Sequence, residues 1–182
     1  MLATADGTGD VVLWDLTGPE PRRAATLELD SIVTALAFAP SGERVAVGTE
    51  SGGVELWDLA DPDVPRRESS SADALSSVKG LRFSPDGEVL AGAAADRYVW
   101  LWRPGQDGGL EVVGALSASG DRMNDVEFLG DRLLATGDDG AVRGWIFGVQ
   151  RAAEHICATR GDPITDEEWR RHVPGADPRA LC

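Results

Sequence analysis

FSPDGEVLAGAAADRYVWLW, residues 83–102, decides the reading of this chain because it recurs. FAPSGERVAVGTESGGVELW occupies residues 38–57, and FLGDRLLATGDDGAVRGW occupies residues 128–145. Ahead of them, LATADGTGDVVLW at residues 2–14 carries the later part of the same pattern. Trp14, Trp57, Trp102 and Trp145 close the four copies at intervals of 43, 45 and 43 residues. Phe38, Phe83 and Phe128 open three of them at intervals of 45. Two ladders in phase, with a period in the forties, mark a repeat architecture. One such unit cannot bury its apolar faces alone, so neighbouring units must stack.

Within each unit the pattern alternates at strand spacing. Val33, Ala35 and Ala37 lead to Phe38, and Val78 and Leu81 lead to Phe83. Pro-Ser-Gly or Pro-Asp-Gly then supplies a turn, proline fixing φ and glycine allowing φ above zero. RVAVGT, EVLAGA or RLLATG follows, then a polar turn, then the run ending in tryptophan. A looser fourth strand completes each unit; ESSSADALSS, residues 68–77, is expected to be one such strand and its exit loop. Short strands at turn-punctuated spacing predict an all-β fold. The loops from Asp6 to Asp10 and from Asp138 to Gly140 read as hairpin turns. Neither has the spacing of an EF-hand or a dinucleotide fingerprint. Trp100 is an addition, since its counterparts are Val12, Glu55 and Arg143. It shares a strand face with Trp102 and is expected to pack against the neighbouring unit.

The order F-S-P-D-G, then L-A followed by aspartate, then V-x-L-W-D, resembles the WD-repeat β-propeller family over residues 1–149. That family builds four-stranded blades around a central channel. The resemblance implies a partial β-propeller of about four blades over residues 1–149, the first blade incomplete. Residues 150–182 would form a short α-helical C-terminal tail docked on the last blade. Trp-Asp survives at Trp14 and Trp57 only; Arg103 follows Trp102 and Ile146 follows Trp145. The Gly-His pair that the family often places before each first strand would fall near Glu28, Asp73 and Ala118, and it is absent. Six residues before each tryptophan, Asp96 and Asp139 match the family's aspartate, while Thr8 and Ser51 replace it. The family's His–Ser/Thr–Asp–Trp hydrogen-bond network is therefore incomplete in every blade, and apolar packing between blades is expected to hold the repeats.

Members of that family more often close a ring of six to eight blades. The chain is accordingly read as the C-terminal part of a larger propeller, with a truncated reading frame, or two chains completing one ring, as alternatives. In the tail, Thr165 and Glu168 have capping-box spacing ahead of Trp169. Ile156, Cys157, Ala158, Gly161, Ile164, Thr165, Glu168, Trp169, Pro174 and Cys182 resemble the C-terminus of WD-repeat regions in bacterial multidomain signalling proteins. Those proteins carry an NTPase or protein-kinase module upstream.

Composition narrows the function. Lys and Arg number 17 against 31 Asp and Glu, a net charge of −14. Such a surface repels phosphate backbones, so no nucleic-acid partner is expected. It serves solubility or presents an acidic face to a basic partner. No run approaches the ~20 apolar residues of a membrane span, and the first residues lack a secretory signal; a cytoplasmic protein without membrane attachment is expected. Cys157 and Cys182 are the two cysteines. They could be free thiols, a disulfide closing the tail, or ligands of a metal with His155 and His172; the lack of a Cys-x-x-Cys pair weighs against the metal. Nucleophile-elbow, zinc-protease and P-loop motifs are all missing. No catalytic, cofactor or metal site is expected, and the chain is not read as an enzyme.

The reading is a non-catalytic scaffold that binds other proteins or an upstream domain of its own polypeptide, with self-association through blade edges as a further route. The resemblance places partner-binding residues ahead of each first strand and in the turn before each third strand. By position these are Ser31, Ile32, Ser77, Arg122 and Met123, with Glu50, Ala95 and Asp138. The competing readings are a ligand-binding or enzymatic propeller with a site in the central channel, and a truncated chain with no independent function.

Overall fold

The computed structural model of the protein describes residues 1–105, 109–117, 120–147 and 158. Among these, fourteen strands form four sheets. The first sheet holds β1 (Leu2–Ala5), β2 (Asp10–Asp15) and β3 (Arg22–Glu28). The second holds β4 (Val33–Phe38), β5 (Arg44–Thr49), β6 (Val54–Asp58) and β7 (Arg66–Ser71). The third holds β8 (Val78–Phe83), β9 (Leu90–Ala94), β10 (Tyr98–Pro104) and β11 (Leu110–Ser117). The fourth holds β12 (Met123–Leu129), β13 (Arg132–Gly137) and β14 (Val142–Ile146). In every sheet, strands adjacent in sequence are adjacent in space. The all-β expectation and its strand order are met. The expected helical tail at 150–182, with Cys157, Cys182 and both histidines, lies outside the described residues except for Ala158.

Two compact units are present: Met1–Phe128 with Leu134–Gly144, and Leu129–Leu133 with Trp145–Cys182. In the second unit, the Phe147 N–H donates to the Asp131 carbonyl at 2.7 Å. The first unit shows why the repeat sequence works. Residues one apart on a strand point to opposite faces, so β5 serves two neighbours at once. Val45 and Val47 pack with Val11, Leu13 and Leu27 of the first sheet. Ala46, on the other face, joins Val54, Leu56, Val78, Leu81, Leu90 and Trp102 in a core between the second and third sheets. Each fully buried Val or Leu contributes roughly 1.5–3 kcal/mol, so these seams are a large source of the unit's stability.

Small residues make room in this core, Gly92 beside the Trp102 ring within the third sheet and Gly48 where the second sheet meets the third. A Cβ on Gly92 of β9 would lie 2.7 Å from Cζ3 of Trp102. A Cβ on Gly48 of β5 would lie 2.9 Å from Cγ1 of Val78. Between the inner strands, the Thr34 hydroxyl of β4 donates to the Val78 carbonyl of β8. Arg82 of β8 reaches Glu127 of β12, Nε to Oε2 at 2.8 Å.

The outer strands share a device that the sequence pattern did not reveal. Each of β3, β7 and β11 carries a one-residue bulge beside its tryptophan. Leu13 pairs with Ala25 but Trp14 with Arg23; Leu56 pairs with Ser69 but Trp57 with Arg67; Leu101 pairs with Gly114 but Trp102 with Val112. Bulges twist a strand and interrupt its ladder, which discourages edge-to-edge pairing.

Overpacking of a tight core costs about 1–3 kcal/mol. Gly92→Ala, which pushes a methyl into the Trp102 ring, is expected to lower unfolding stability by that amount in urea titration. Gly7→Ala, where nothing lies within 4 Å of the added Cβ, should leave it nearly unchanged.

Candidate functional site

One backbone hydrogen bond recurs in three sheets and builds a rim. The Glu50 N–H donates to the Ile32 carbonyl at 2.9 Å, Ala95 to Ser77 at 2.9 Å, and Asp138 to Arg122 at 3.0 Å. Each ties the residue ahead of an inner strand to the turn before the third strand. Six of the eight residues expected on a partner-binding face are therefore paired by position. Ile32, Glu50, Arg122 and Asp138 are exposed, and Ser31 and Ala95 are half-buried. Ser77 and Met123 are buried, at 7% and 0% exposure; their side chains serve the interior. The Ser77 hydroxyl has no hydrogen-bond partner among the described residues. Asn124 adds to the rim, its Nδ2 donating to Asp138 Oδ1 at 2.6 Å.

A recess of about 340 Å³ opens beside this rim at the second sheet, lined by Leu29, Val54 and Ala72 together with polar residues that include Ser31, Thr49 and Glu55. Among the described residues its lining holds no histidine, lysine or cysteine. Glu55 is already committed, accepting from the Trp57 indole at 3.0 Å and from Arg67 at 3.3 Å.

The tryptophan supports differ from the spacing rule. Asp96, six residues before Trp102, accepts instead from the Nε1–H of Trp100 at 3.0 Å. The same carboxylate accepts from the backbone N–H of Leu75 at 2.9 Å and of Tyr98 at 3.0 Å. Trp102 donates to Asp73 Oδ2 at 3.3 Å, and Asp73 stands where the family's Gly-His pair would fall. Trp14 donates to Thr4 at 2.9 Å. Trp100 stacks on Trp102, ring centroids 6.3 Å apart and planes 18° apart, and Tyr98 lies 6.0 Å from Trp100. Trp100 packs on the core between the second and third sheets, as expected of it.

In the fourth sheet, Asp139 is paired with the Arg143 guanidinium and accepts from the Ala141 N–H at 3.0 Å. The guanidinium first, and then that N–H, hold its carboxyl down at about 2.

The turn before each third strand needs a left-handed residue. Gly9, Gly52 and Gly140 fill it with φ of 104°, 91° and 72°. In the third sheet Arg97 stands at the equivalent place with φ of 77°. It is the one non-glycine with positive φ among the described residues. A side chain in that region costs roughly 1–2 kcal/mol. Beside it, Tyr98 is 38% exposed and Leu75 is 84% exposed. Sequence reading missed Arg97, Leu75 and Tyr98. Counting the turn glycines along the Trp ladder would have isolated the arginine.

The comparisons with known proteins bear on fold more than on activity. A family described as "Domain of unknown function (DUF7165)" matches residues 1–99. Cilia- and flagella-associated protein 43 of Xenopus laevis is 27% identical over 116 residues, which is 64% of this chain and 7% of that protein. The chain thus spans a small fraction of that relative's length. The solved structure of U3-55K superposes with a TM-score of 0.69 at 20% identity, covering 80% of this chain and 45% of that one. The computationally designed Ika4 protein gives 0.65 at 20% identity, covering 80% of this chain and 84% of that one. At these identities the likeness is one of fold.

Two outcomes follow from the turns. Arg97→Gly removes the strained side chain but adds unfolded-chain entropy; a net gain of about 0.5–1 kcal/mol is expected, read as a raised midpoint in urea. A carboxyl with a depressed folded pKa stabilises above its unfolded value and loses that contribution as pH falls through its folded value. Asp139 should therefore add to the decline of the unfolding temperature between about 3.8 and about 2, and Asp139→Asn should flatten that part of the profile.

Proposed function

The chain belongs to the family described as DUF7165, and we propose that it is a non-catalytic WD-repeat β-propeller segment that binds other proteins or another domain of its own polypeptide. The observation that carries this reading is the recurring rim bond, Glu50 to Ile32, Ala95 to Ser77 and Asp138 to Arg122. It sets the loops of three successive sheets in one register, with exposed residues at the second and fourth. Rigid display of this kind lowers the ordering cost of binding. The stacked apolar seams support the propeller assignment, since they bury both faces of the second sheet. No helix among the described residues is long and apolar enough to cross a membrane.

The test is a combined variant, Ile32→Ser with Glu50→Ala, Arg122→Ala and Asp138→Ala. Cross-linked complexes recovered with the wild-type chain should disappear with the variant, while its far-ultraviolet dichroism stays the same. Complexes that persist unchanged would place the binding face elsewhere. Turnover of a sugar or nucleotide in a substrate screen would replace the scaffold with an enzyme.

A further inference from the structure

We propose that the recess at the second sheet, bordered by Asp30 and Glu55, is a docking pocket for a basic side chain, lysine or arginine, of a partner protein. This rests on the protein-binding reading above and states the chemistry of the partner at one pocket.

The recess lies where the second sheet leaves out what the third sheet supplies. The rim bonds fix the equivalence, since Glu50 to Ile32 and Ala95 to Ser77 stand 45 residues apart at both ends. On that interval Ser51, Gly53 and Glu55 correspond to Asp96, Tyr98 and Trp100. In the third sheet the Trp100 ring stacks on Trp102 and packs on the core, and its indole N–H donates to Asp96 at 3.0 Å. In the second sheet a serine, a glycine and a glutamate stand in place of that carboxylate and those two rings. The eleven residues that line the recess enclose it as one surface, with Leu29, Val54 and Ala72 as its apolar part. Its Thr49 hydroxyl is satisfied within the wall, 3.0 Å from the Ser51 hydroxyl and donating to the Gly53 carbonyl at 3.1 Å. A volume of about 340 Å³ stands at the low end of the roughly 300–1,000 Å³ of ligand pockets, which suits a single long side chain.

Charge selects the occupant. Asp30 and Glu55 are the charged groups of the lining, and both are acids. Glu55 is fixed: its side chain is 15% exposed and accepts from the Trp57 indole on one oxygen and from Arg67 on the other. Arg67 offsets that one charge. Asp30 is exposed and makes no ion pair among the described residues. Glu28 and Glu50, next in sequence to the lining residues Leu29 and Thr49, are exposed and make none either. The mouth is therefore acidic on a chain whose net charge is −14, so an anion is repelled and a cation drawn in. Lysine and arginine bury a methylene stem along apolar surface and keep the charged head at a polar edge. A neutral aromatic side chain would imitate Trp100 in shape and leave Asp30 unanswered.

The probe is a library of short random peptides displayed on phage and panned on the full chain. Enriched peptides are then synthesised and titrated by fluorescence anisotropy. The expected result is enrichment of Lys or Arg. Replacing that residue with norleucine, which keeps a stem and removes the charge, should weaken binding by about tenfold or more. Asp30→Lys should do the same with unchanged far-ultraviolet dichroism, because the side chain it replaces is exposed. Glu20→Lys makes the same change of charge at an exposed position ahead of β3, whereas Asp30 follows that strand; it should leave the affinity as it is. Equal losses in Asp30→Lys and Glu20→Lys would reduce the binding to general attraction by an acidic chain and overturn the pocket. Enrichment without basic residues, or no enrichment, overturns it too. Peptides lost with Arg122→Ala and Asp138→Ala but retained with Asp30→Lys overturn the pocket and leave the protein-binding reading standing, since that reading is judged by its cross-linked complexes.

Discussion

Burial of Trp102 is the interaction on which the third sheet depends. Its ring is wholly enclosed in the core formed with Val54, Leu56, Leu81 and Leu90. Aromatic side chains carry the largest apolar payload of any residue, and this one bridges two sheets that could not stay folded singly. The constraint propagates outward. Gly92 must lack a Cβ because the ring occupies the space. Ala46, Ala37 and Ala94 must be small so that the neighbouring strands approach. The seam between the first and second sheets buries valine and leucine, with Trp57 and Phe38 packed against them only partly buried, so the same backbone plan accepts two packing solutions.

A buried indole also brings an N–H that needs an acceptor. The repeats solve this differently in each sheet, with Thr4 for Trp14, Glu55 for Trp57 and Asp73 for Trp102. None requires histidine. A carboxylate or hydroxyl from whichever strand or loop faces the ring suffices, because the indole asks for one acceptor at hydrogen-bond distance and nothing more. Loss of the family's polar network therefore leaves a substitute in each of these sheets, and apolar stacking has only to be supplemented.

Much of this was legible in the sequence, and the residues show why. Trp14, Trp57 and Trp102 recur at the end of each third strand because the repeat length is set by strand and turn lengths, which composition reveals. The turns after Phe38 and Phe83, the outer strand within residues 66–71 and the hairpin at Asp6 to Asp10 are local, and they lie where local chemistry put them. Side-chain partners are different. Counting six positions back from Trp102 finds Asp96, yet Asp96 serves Trp100, because the added ring on the same face lies nearer to it. Burial of Ser77 and Met123 also escaped the count, since a residue's place ahead of a strand does not say which way its side chain turns. The bulges beside Trp14, Trp57 and Trp102 leave no mark in hydrophobic alternation that a single sequence would show.

Arg97 brings these threads together. The turn geometry is imposed by the sheet: Gly9, Gly52 and Gly140 show that a left-handed residue is needed wherever the second strand hands over to the third. The sheet can impose the same geometry on arginine only because the surroundings over-determine it. Asp96 accepts from the residue after Arg97 and from a loop one sheet-crossing away, and Trp100 and Trp102 anchor the strand that follows. A turn held that firmly can carry a strained side chain whose guanidinium makes no ion pair among the described residues. The strained turn is therefore held from two sides, by the Asp96 carboxylate and by the stacked indoles of the strand that follows.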